Sequence, residues 1–301
     1  MASVESLIKH FQALDCNVDP FPNLFDFEGS VNEFYEGTYC NMVNFSSSKE
    51  GVLTKLKLWT IKSGYLQKVK NHFEPGDVLI DVGCGGGVKY FGQQFNTIGA
   101  DTSLGSLKIA TENYSACIKV NLLKKLPIPD ESVDGIVSSF VWEHFTQDQK
   151  LFMLEEFHRV LVKSGKLVFM YDVQTDNPLI KRYKRIDPAL YIKEFIDVDG
   201  HVGYQTPHEN QKGFESKGFT VLENQGNERT IFLEFSACHK LLKWGNMNPI
   251  VRYFLKSICG IASNKVTFPI YSLFVRVIDL LAFFAPLSWA RTVITVCQKK
   301  G

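Results

Sequence analysis

An acidic residue and a cluster of glycines directly follow a short apolar run near residue 80. Residues 78–80 are Val-Leu-Ile, and residues 81–87 have the sequence DVGCGGG. An apolar strand that ends in this way predicts a strand–loop–helix turn whose bare backbone approaches a ligand closely. The chemistry that such a turn favours is the binding of a nucleotide-type cofactor.

The loop lacks the residues of two common phosphate-binding motifs. The dinucleotide motif G-x-G-x-x-G requires a glycine at position 88, where Val88 stands. The P-loop requires Gly-Lys followed by Ser or Thr, and Val88-Lys89-Tyr90 stands there instead. The sequence therefore indicates a cofactor that is not held through either phosphate motif.

A second carboxylate, Asp101, ends the next apolar run at residues 97–100. A carboxylate at that place accepts hydrogen bonds from both hydroxyls of a ribose, which predicts an adenosine-like unit in the cofactor. The alternative is a helix N-cap in front of Leu104.

Short apolar runs alternate with helical periodicity from residue 77 onward. The predicted strands are 78–82, 97–100, 118–120, 135–138, 166–171, 218–222 and 292–296, and helical spacing covers 104–114 and 147–161. This alternation predicts parallel strands with crossover helices, and ligands bind at the carboxyl edge of such a sheet. The loop 81–87, Asp101, Ser139 and Asp172 should therefore gather at one edge.

Three further motifs follow Asp101 in a fixed order. They are LPIPDESVDGIVSS at 126–139, WEH at 142–144 and RVLVKSGKL at 159–167. Together with the glycine loop and Asp101, this order resembles the class I S-adenosylmethionine-dependent methyltransferases, in the broad group that includes the ubiquinone/menaquinone biosynthesis type. The resemblance is strong over residues 75–172 and weak elsewhere.

The resemblance implies a fold, a cofactor and a set of cofactor-binding residues. The fold is α/β, a Rossmann-like doubly wound sheet of seven strands whose last strand, 292–296, lies antiparallel between the fifth and sixth. The cofactor is S-adenosyl-L-methionine, with S-adenosyl-L-homocysteine as the product. Asn121 stands where the family often has Asp for the adenine amino group, and an amide oxygen accepts the same hydrogen bond. The implied cofactor-binding residues are Asp81, Gly83, Cys84, Gly85, Gly87, Asp101, Thr102, Asn121, Leu122, Ser139 and Phe140.

The predicted division of the chain is an N-terminal helical or lid segment, 1–72, and a methyltransferase domain, 73–301. Insertions are expected at about 174–205 and about 226–290. Tyr39 in the N-terminal segment is a candidate substrate contact, with core packing as the alternative. The basic residues Lys181, Arg182 and Arg185 in the first insertion either clamp an anionic acceptor or form a solvated helix face.

Methyl transfer from a sulfonium is mainly positioning catalysis, and an oxygen acceptor usually also needs a base. The candidate bases are His144, Asp172, His201 and His208, and each histidine has a packing or loop-binding role as its alternative. No metal is predicted, because no His-x-x-x-His pair occurs.

Composition and charge limit the partners. The formal net charge of +1 gives no nucleic-acid signature, and seven cysteines without C-x-x-C pairing indicate a cytoplasmic location. The apolar stretch 268–285 contains Arg276 and Asp279, so it is too interrupted to span a membrane. It packs on the domain or a second subunit, or it contacts lipid peripherally.

The sequence therefore predicts a methyltransferase of a small acceptor, anionic or lipid-linked, with O-methylation of a sugar or another hydroxylated intermediate favoured. C-methylation of a quinone- or polyketide-like ring and a non-catalytic binding protein are the alternatives.

Overall fold

The computed structural model of the 301-residue chain describes residues 3–14, 16–18, 21, 23–28, 61–264, 266–282 and 284–301. Tyr39, the candidate substrate contact, lies outside the described residues. Among the helices of these ranges, none is long and apolar enough to cross a lipid bilayer.

Nine strands in the described residues form one sheet. They are β1 (Asn17–Val18), β2 (Leu24–Asp26), β3 (Val78–Val82), β4 (Asn96–Asp101), β5 (Ala116–Lys119), β6 (Val133–Ser139), β7 (Leu161–Asp172), β8 (Phe219–Asn227) and β9 (Thr292–Lys299). Their order is β1-β2-β5-β4-β3-β6-β7-β9-β8. Strands β2 to β7 pair in parallel, and β9 runs antiparallel to both β7 and β8.

The predicted α/β class and the antiparallel place of the last strand are confirmed, whereas the predicted count of seven strands is wrong. Strands β1 and β2 extend the sheet beyond β5, in a segment expected to contain only helices and loops. They have two and three residues, too few to show a period of two. Long-range contacts hold them, including the Cys117 N–H donating to the Asn23 carbonyl (2.8 Å) and Lys119 Nζ to Asp26 Oδ2 (3.1 Å).

Eleven α-helices lie in the described residues: α1 (Val4–Ala13), α2 (Ile61–His72), α3 (Lys89–Gln94), α4 (Leu104–Ala110), α5 (Gln147–Val160), α6 (Pro178–Ile186), α7 (Pro188–Ile192), α8 (Pro207–Ser216), α9 (Phe235–Leu241), α10 (Pro249–Ser263) and α11 (Phe268–Leu281). Single 3₁₀ turns cover Trp142–His144 and Leu287–Trp289, and a π-helical turn covers Lys193–Asp197. Capping residues determine where several of these helices begin. Thr146 caps α5 reciprocally with Gln149, and Thr206 caps α8 in the same way with Glu209.

Apolar layers cover both faces of the sheet. All five residues of β3 are buried. Ile80 packs in the layer that contains Trp142 and Phe157, and Leu79 packs in the opposite layer with Phe91. Successive strand residues point to opposite faces, so a strand buried on both sides is mostly apolar, and in β3 only Asp81 is polar. This rigid centre fixes the position of the glycine loop that follows β3.

The helices between β7 and α8 and between β8 and β9 share a third apolar core. Tyr183 of α6, Trp244 after α9, Leu255 of α10 and Val275 of α11 are buried in it. The two charges of α11 also point inward. Arg276 Nη1 donates to Asn227 Oδ1 (2.7 Å), and Asp279 accepts the Glu228 N–H (2.5 Å).

Because its charges are buried, α11 presents an apolar face to the outside. Ile270, Phe274, Val277, Leu280 and Leu281 are 42–66% exposed, and Phe284 just beyond the helix is 78% exposed. We call these six residues the α11 outer face. Exposed apolar surface of this extent is typical of a contact with lipid or protein.

Candidate functional site

The glycine loop after β3 has a left-handed backbone at three positions. Gly83, Gly85 and Gly87 have φ of 65°, 52° and 80°. A Cβ at Gly83 would lie 2.4 Å from Cγ2 of Val141, so only glycine fits there. A Cβ at Gly85 would meet no heavy atom within 4 Å, which leaves the outer side of the loop open to a ligand.

Asp81 ends β3 beneath the loop and is 3% exposed. The Tyr114 hydroxyl donates to Asp81 Oδ2 (2.5 Å) and accepts the Val88 N–H (2.7 Å). Burial raises the pKa of Asp81 to about 7, although the bond from Tyr114 opposes the shift and the nearby Asp101 charge adds to it. This carboxyl group is therefore poised to ionise when a cationic ligand binds.

Asp101 ends β4 beside the loop and fixes its shape. Oδ2 accepts the Gly85 N–H (2.8 Å) and Oδ1 accepts the Ser103 N–H (2.9 Å). The helix α4 is capped by the Ser103 side chain rather than by Asp101. Asp101 and Thr102 remain partly exposed at the carboxyl edge of the sheet, as a ribose-binding carboxylate requires.

The other predicted cofactor residues lie at the ends of the neighbouring strands. Asn121 follows β5, and its Oδ1 accepts the Leu123 N–H (2.9 Å), which leaves a second lone pair on that oxygen. Leu122 is buried against it. Ser139 ends β6, and Phe140 takes a left-handed conformation with φ of 56° while its N–H donates to the Met170 carbonyl (2.7 Å).

Cys84 contributes differently from the other loop residues. Its side chain is buried in the apolar layer, and burial raises the pKa of its thiol well above the ordinary range. A protonated, buried thiol does not act as a nucleophile. The thiol donates to the Gly85 carbonyl (3.4 Å), so Cys84 helps to hold the loop in shape.

A polar cluster follows β6 at the same edge. Glu143 and His144 in the 3₁₀ turn meet His201, which comes from the segment between the π-helical turn and α8. His144 Nδ1 lies 3.0 Å from the Gly200 carbonyl, and His201 Nδ1 lies 3.0 Å from the Phe195 carbonyl. Burial lowers the pKa of both imidazoles, against the opposing effect of Asp172 and Asp199. Burial therefore favours the neutral form of both rings.

Asp172 at the end of β7 belongs to a buried ion network instead of facing a cavity. Arg291 Nη1 lies 2.9 Å from Asp172 Oδ2, and Thr292 Oγ1 donates to Oδ1 (2.7 Å). Arg291 Nη2 also lies 2.8 Å from Glu228 Oε1. Arg291 and Thr292 each occupy one oxygen of this carboxylate, so the geometry favours an organising role for Asp172.

The predicted substrate residues and the fourth candidate base lie apart from that cluster. Lys181, Arg182 and Arg185 on α6 line an open groove of about 590 Å³ together with Asp176 and Trp289. Lys181 Nζ pairs with Asp176 Oδ1 (2.7 Å). His208 is exposed in the first turn of α8.

Three residues of the site were missed from the sequence. Glu143 stands inside the WEH motif, so its position offered a signal. Tyr114, which holds Asp81, and Arg291, which holds Asp172, stand outside every motif. Only the tertiary structure brings these two side chains to the carboxylates.

The strand order, the glycine loop and the carboxylate at the end of β4 together define a methyltransferase domain of class I, whose cofactor is S-adenosylmethionine. Residues 80–169 match the family described as "Methyltransferase domain". The predicted class and cofactor are thus confirmed. The loop fits the cofactor, because its outer side is open at Gly85 and Asp101 lies beside it.

Similar proteins span different parts of the chain. A human protein named "Probable tRNA methyltransferase 9B" is 33% identical over 170 residues, which are 54% of this chain and 35% of that protein. The demethylmenaquinone methyltransferase of Symbiobacterium thermophilum is 25% identical over 52% of this chain and 73% of its own length. The chain thus aligns with only about a third of the human relative.

A solved structure supports the fold. The S-adenosylmethionine-dependent methyltransferase of Archaeoglobus fulgidus superposes with a TM-score of 0.50 at 16% identity, over 79% of this chain and 93% of its own. At that identity the likeness extends to the fold alone.

Proposed function

We propose that this chain transfers the methyl group of S-adenosylmethionine to a hydroxyl oxygen of a small anionic acceptor, with a sugar or another hydroxylated intermediate favoured. The observation that carries the proposal is the pair of imidazoles after β6, the half-buried His144 and the buried His201, whose ring centroids lie 5.3 Å apart. A neutral imidazole can accept the proton that a hydroxyl acceptor releases as its oxygen takes the methyl group.

The cofactor supplies a methyl group that its sulfonium already activates. Asp81, Gly83, Gly85 and Gly87 would hold its methionine end, with the backbone of Cys84, Ser139 and Phe140. Asp101 and Thr102 would hold the ribose, and Asn121 and Leu122 the adenine. The chain's own task is then to align the acceptor oxygen and exclude water.

The two imidazoles pack against each other, and His144 lies in the segment that follows the packing partner of the loop. Their rings are 5.3 Å apart between centroids. Val141, which packs on Gly83, stands three residues before His144. Both imidazoles donate through Nδ1 to a backbone carbonyl, but His144 also contacts the Phe140 backbone, so we assign the base to His201. We assign His144 to positioning, since it joins the turn after β6 to Gly200.

The groove on α6 supports an anionic acceptor. Asp176 neutralises Lys181, but within the described residues no carboxylate pairs with Arg182 or Arg185. Two arginines one helical turn apart offer the planar donor pairs that bind phosphate and carboxylate groups. Asp176, which lines the groove, follows β7 in the chain, and its N–H donates to the Ser288 carbonyl (2.7 Å).

The α11 outer face supports a lipid-linked form of this acceptor. The 3₁₀ turn that follows it, Leu287–Trp289, contributes Trp289 to the basic groove. An apolar face whose chain continues to Trp289 in the arginine-lined groove matches an acceptor with an anionic head and an apolar tail.

The name of the human relative raises tRNA as a competing acceptor. The formal net charge of +1 offers little attraction for a polyanion, and the basic groove is small. We therefore retain a small molecule as the acceptor and include tRNA as an arm of the test.

The test uses S-adenosylmethionine with a ¹³C-labelled methyl group. The full chain is incubated with phosphorylated sugars, lipid-linked sugars, quinone-type rings and unfractionated tRNA, and the products are analysed by mass spectrometry and NMR. We expect the label on an oxygen of an anionic hydroxylated acceptor. Label on a carbon atom, or only on tRNA, contradicts the proposal.

Two variants, His201→Gln and His208→Gln, test the assignment of His201 as the base. We expect His201→Gln to lower kcat strongly while the affinity for S-adenosylmethionine is unchanged, because His201 lies outside the cofactor loop. The exposed His208→Gln should retain normal kcat. Equal activity in the two variants would remove His201 as the base.

A further inference from the structure

Three side chains that could bind a cation converge after β6. Glu143 and His144 lie in one 3₁₀ turn, and His201 comes from a segment 57 residues further along the chain. One carboxylate oxygen and one nitrogen of each imidazole lie within 4.8 Å of one another. Two imidazoles and a carboxylate are a donor set suited to divalent first-row transition metals.

The carboxylate of this cluster is incompletely paired. Glu143 is 1% exposed, its Oε1 accepts the Asp172 N–H (3.3 Å), and its Oε2 has no hydrogen-bond partner. A buried carboxylate oxygen without a donor costs free energy, and native structures rarely retain one without a reason. The unpaired oxygen belongs to the residue that the two imidazoles surround.

Both imidazoles make the Nδ1 contact with a backbone carbonyl that metal-binding histidines usually make. Each has its Nδ1 at 3.0 Å from a backbone carbonyl, that of Gly200 for His144 and that of Phe195 for His201. A ring that donates through Nδ1 directs its lone pair from Nε2, and such carbonyl partners typically fix the tautomer of metal ligands. His144 also has a contact with the Phe140 backbone, which a bound ion would replace.

Nearby cationic side chains are engaged elsewhere. Lys240 pairs with Asp199, and Arg291 bridges Asp172 and Glu228. Lys150 Nζ donates to the Gly203 carbonyl (2.7 Å), Gln205 Oε1 (2.9 Å) and Asn210 Oδ1 (3.2 Å). Within the described residues, none of them donates a hydrogen bond to Glu143 Oε2.

We propose that Glu143, His144 and His201 bind one divalent first-row transition-metal ion. Three protein ligands leave coordination positions open, and an acceptor hydroxyl bound there would lose its proton more readily. This catalytic role rests on the proposed function, whereas the metal site stands on the geometry alone. The bound ion, and not His201, would then promote deprotonation of the acceptor hydroxyl.

Cobalt(II) is the probe, because its bound form has visible absorption bands that report nitrogen and oxygen ligands. The full chain is stripped with chelator and titrated with Co²⁺ by calorimetry and absorption. We expect one ion per chain. His201→Ala should weaken binding by more than about tenfold, since losing even an outer partner of a metal ligand costs that much.

Two further variants make the result decisive. Glu143→Gln keeps the side-chain shape and removes the charge, and it should also weaken Co²⁺ binding. His239→Ala changes an exposed histidine that stacks on Phe235 and should leave binding unchanged. Near-ultraviolet circular dichroism checks the fold of each variant.

Absence of Co²⁺ binding to the unmodified chain, or equal binding in the Glu143 and His201 variants, overturns the metal site. Methyl transfer that continues in chelator would leave the proposed function intact and refute the metal's role in it. A chain that binds Co²⁺ but does not bind S-adenosylmethionine would refute the proposed function and leave the metal site intact.

Discussion

Asp81 connects a buried carboxyl group to the recognition of a cationic cofactor. Its pKa of about 7 results from burial at the end of β3, and the Tyr114 hydroxyl is its one neutral donor among the described side chains. S-adenosylmethionine carries positive charge on its sulfonium and its amino group. Binding therefore favours the ionised form of Asp81, which predominates only above pH 7.

We predict that the affinity for S-adenosylmethionine rises by about tenfold between pH 6 and pH 8, as the ionised fraction of Asp81 grows. Calorimetry across this range measures the effect. Asp81→Asn should bind more weakly without that dependence, and the cofactor's own amino group titrates identically with both proteins. A pH profile shared by both would show that Asp81 does not control binding.

Gly83 tests the steric requirement of the loop. We predict that Gly83→Ala lowers the free energy of unfolding by at least about 1–2 kcal/mol, because its φ of 65° disfavours any side chain. The clash of the new Cβ with Val141 adds to this cost, so the double variant Gly83→Ala/Val141→Ala should regain part of the free energy of unfolding that Gly83→Ala loses. Urea denaturation measures the free energy of unfolding of the unmodified chain, of Gly83→Ala and of the double variant.

The matched control for Gly83 is Gly260 in α10, where a Cβ would meet no heavy atom within 4 Å. Gly260→Ala should raise the free energy of unfolding by about 0.5–1 kcal/mol, as expected in a helix interior. Equal effects at the two positions would exclude the backbone explanation.

At the scale of elements, Arg291 joins three strands at the edge of the site. It stands directly before β9 and pairs with Asp172 at the end of β7 and with Glu228 directly after β8. The side chains of all three residues are at most 10% exposed. Removing the arginine would leave two buried carboxylates uncompensated.

We predict that Arg291→Met lowers the free energy of unfolding by about 3–5 kcal/mol. Lys217→Met, which breaks the surface pair with Glu155, should cost about 0–1 kcal/mol. Urea denaturation compares them at neutral pH. Similar losses in the two variants would contradict a buried, energetically coupled network.

At the scale of the whole molecule, the chain that leaves the α11 outer face reaches the basic groove of α6 at Trp289. Leu281 and Phe284 end the apolar face, and Trp289 lines the groove. Arg229 Nη1 donates to the Ala285 carbonyl (2.9 Å) and helps to fix the segment between them. A surface of this kind suits an acceptor presented by an anionic membrane.

We predict that the full chain floats with vesicles that contain phosphatidylglycerol, and that the double variant Leu281→Ser/Phe284→Ser does not. Phe152→Ser on α5 removes another exposed aromatic side chain and should float normally. Sedimentation velocity tests the alternative. A dimer that the double variant loses would assign the face to a second subunit, and a monomer that never floats would exclude both.

Sequence alone predicted those features that depend on contiguous residues. The glycine loop, Asp101 and the strand–helix alternation each fix local backbone geometry, so the class of fold and the cofactor were accessible without coordinates. Strands β1 and β2 were not, because two or three residues carry no periodic signal and pair only with a formed edge strand.

Only the tertiary structure decided which side chains meet at the acceptor side. The sequence offered four candidate bases, and folding places His144 and His201 together, engages Asp172 with Arg291 and leaves His208 exposed. It also directs Arg276 and Asp279 inward, which turns a charged segment into an apolar outer face. These outcomes depend on how helices inserted between distant strands pack, and no local pattern encodes that packing.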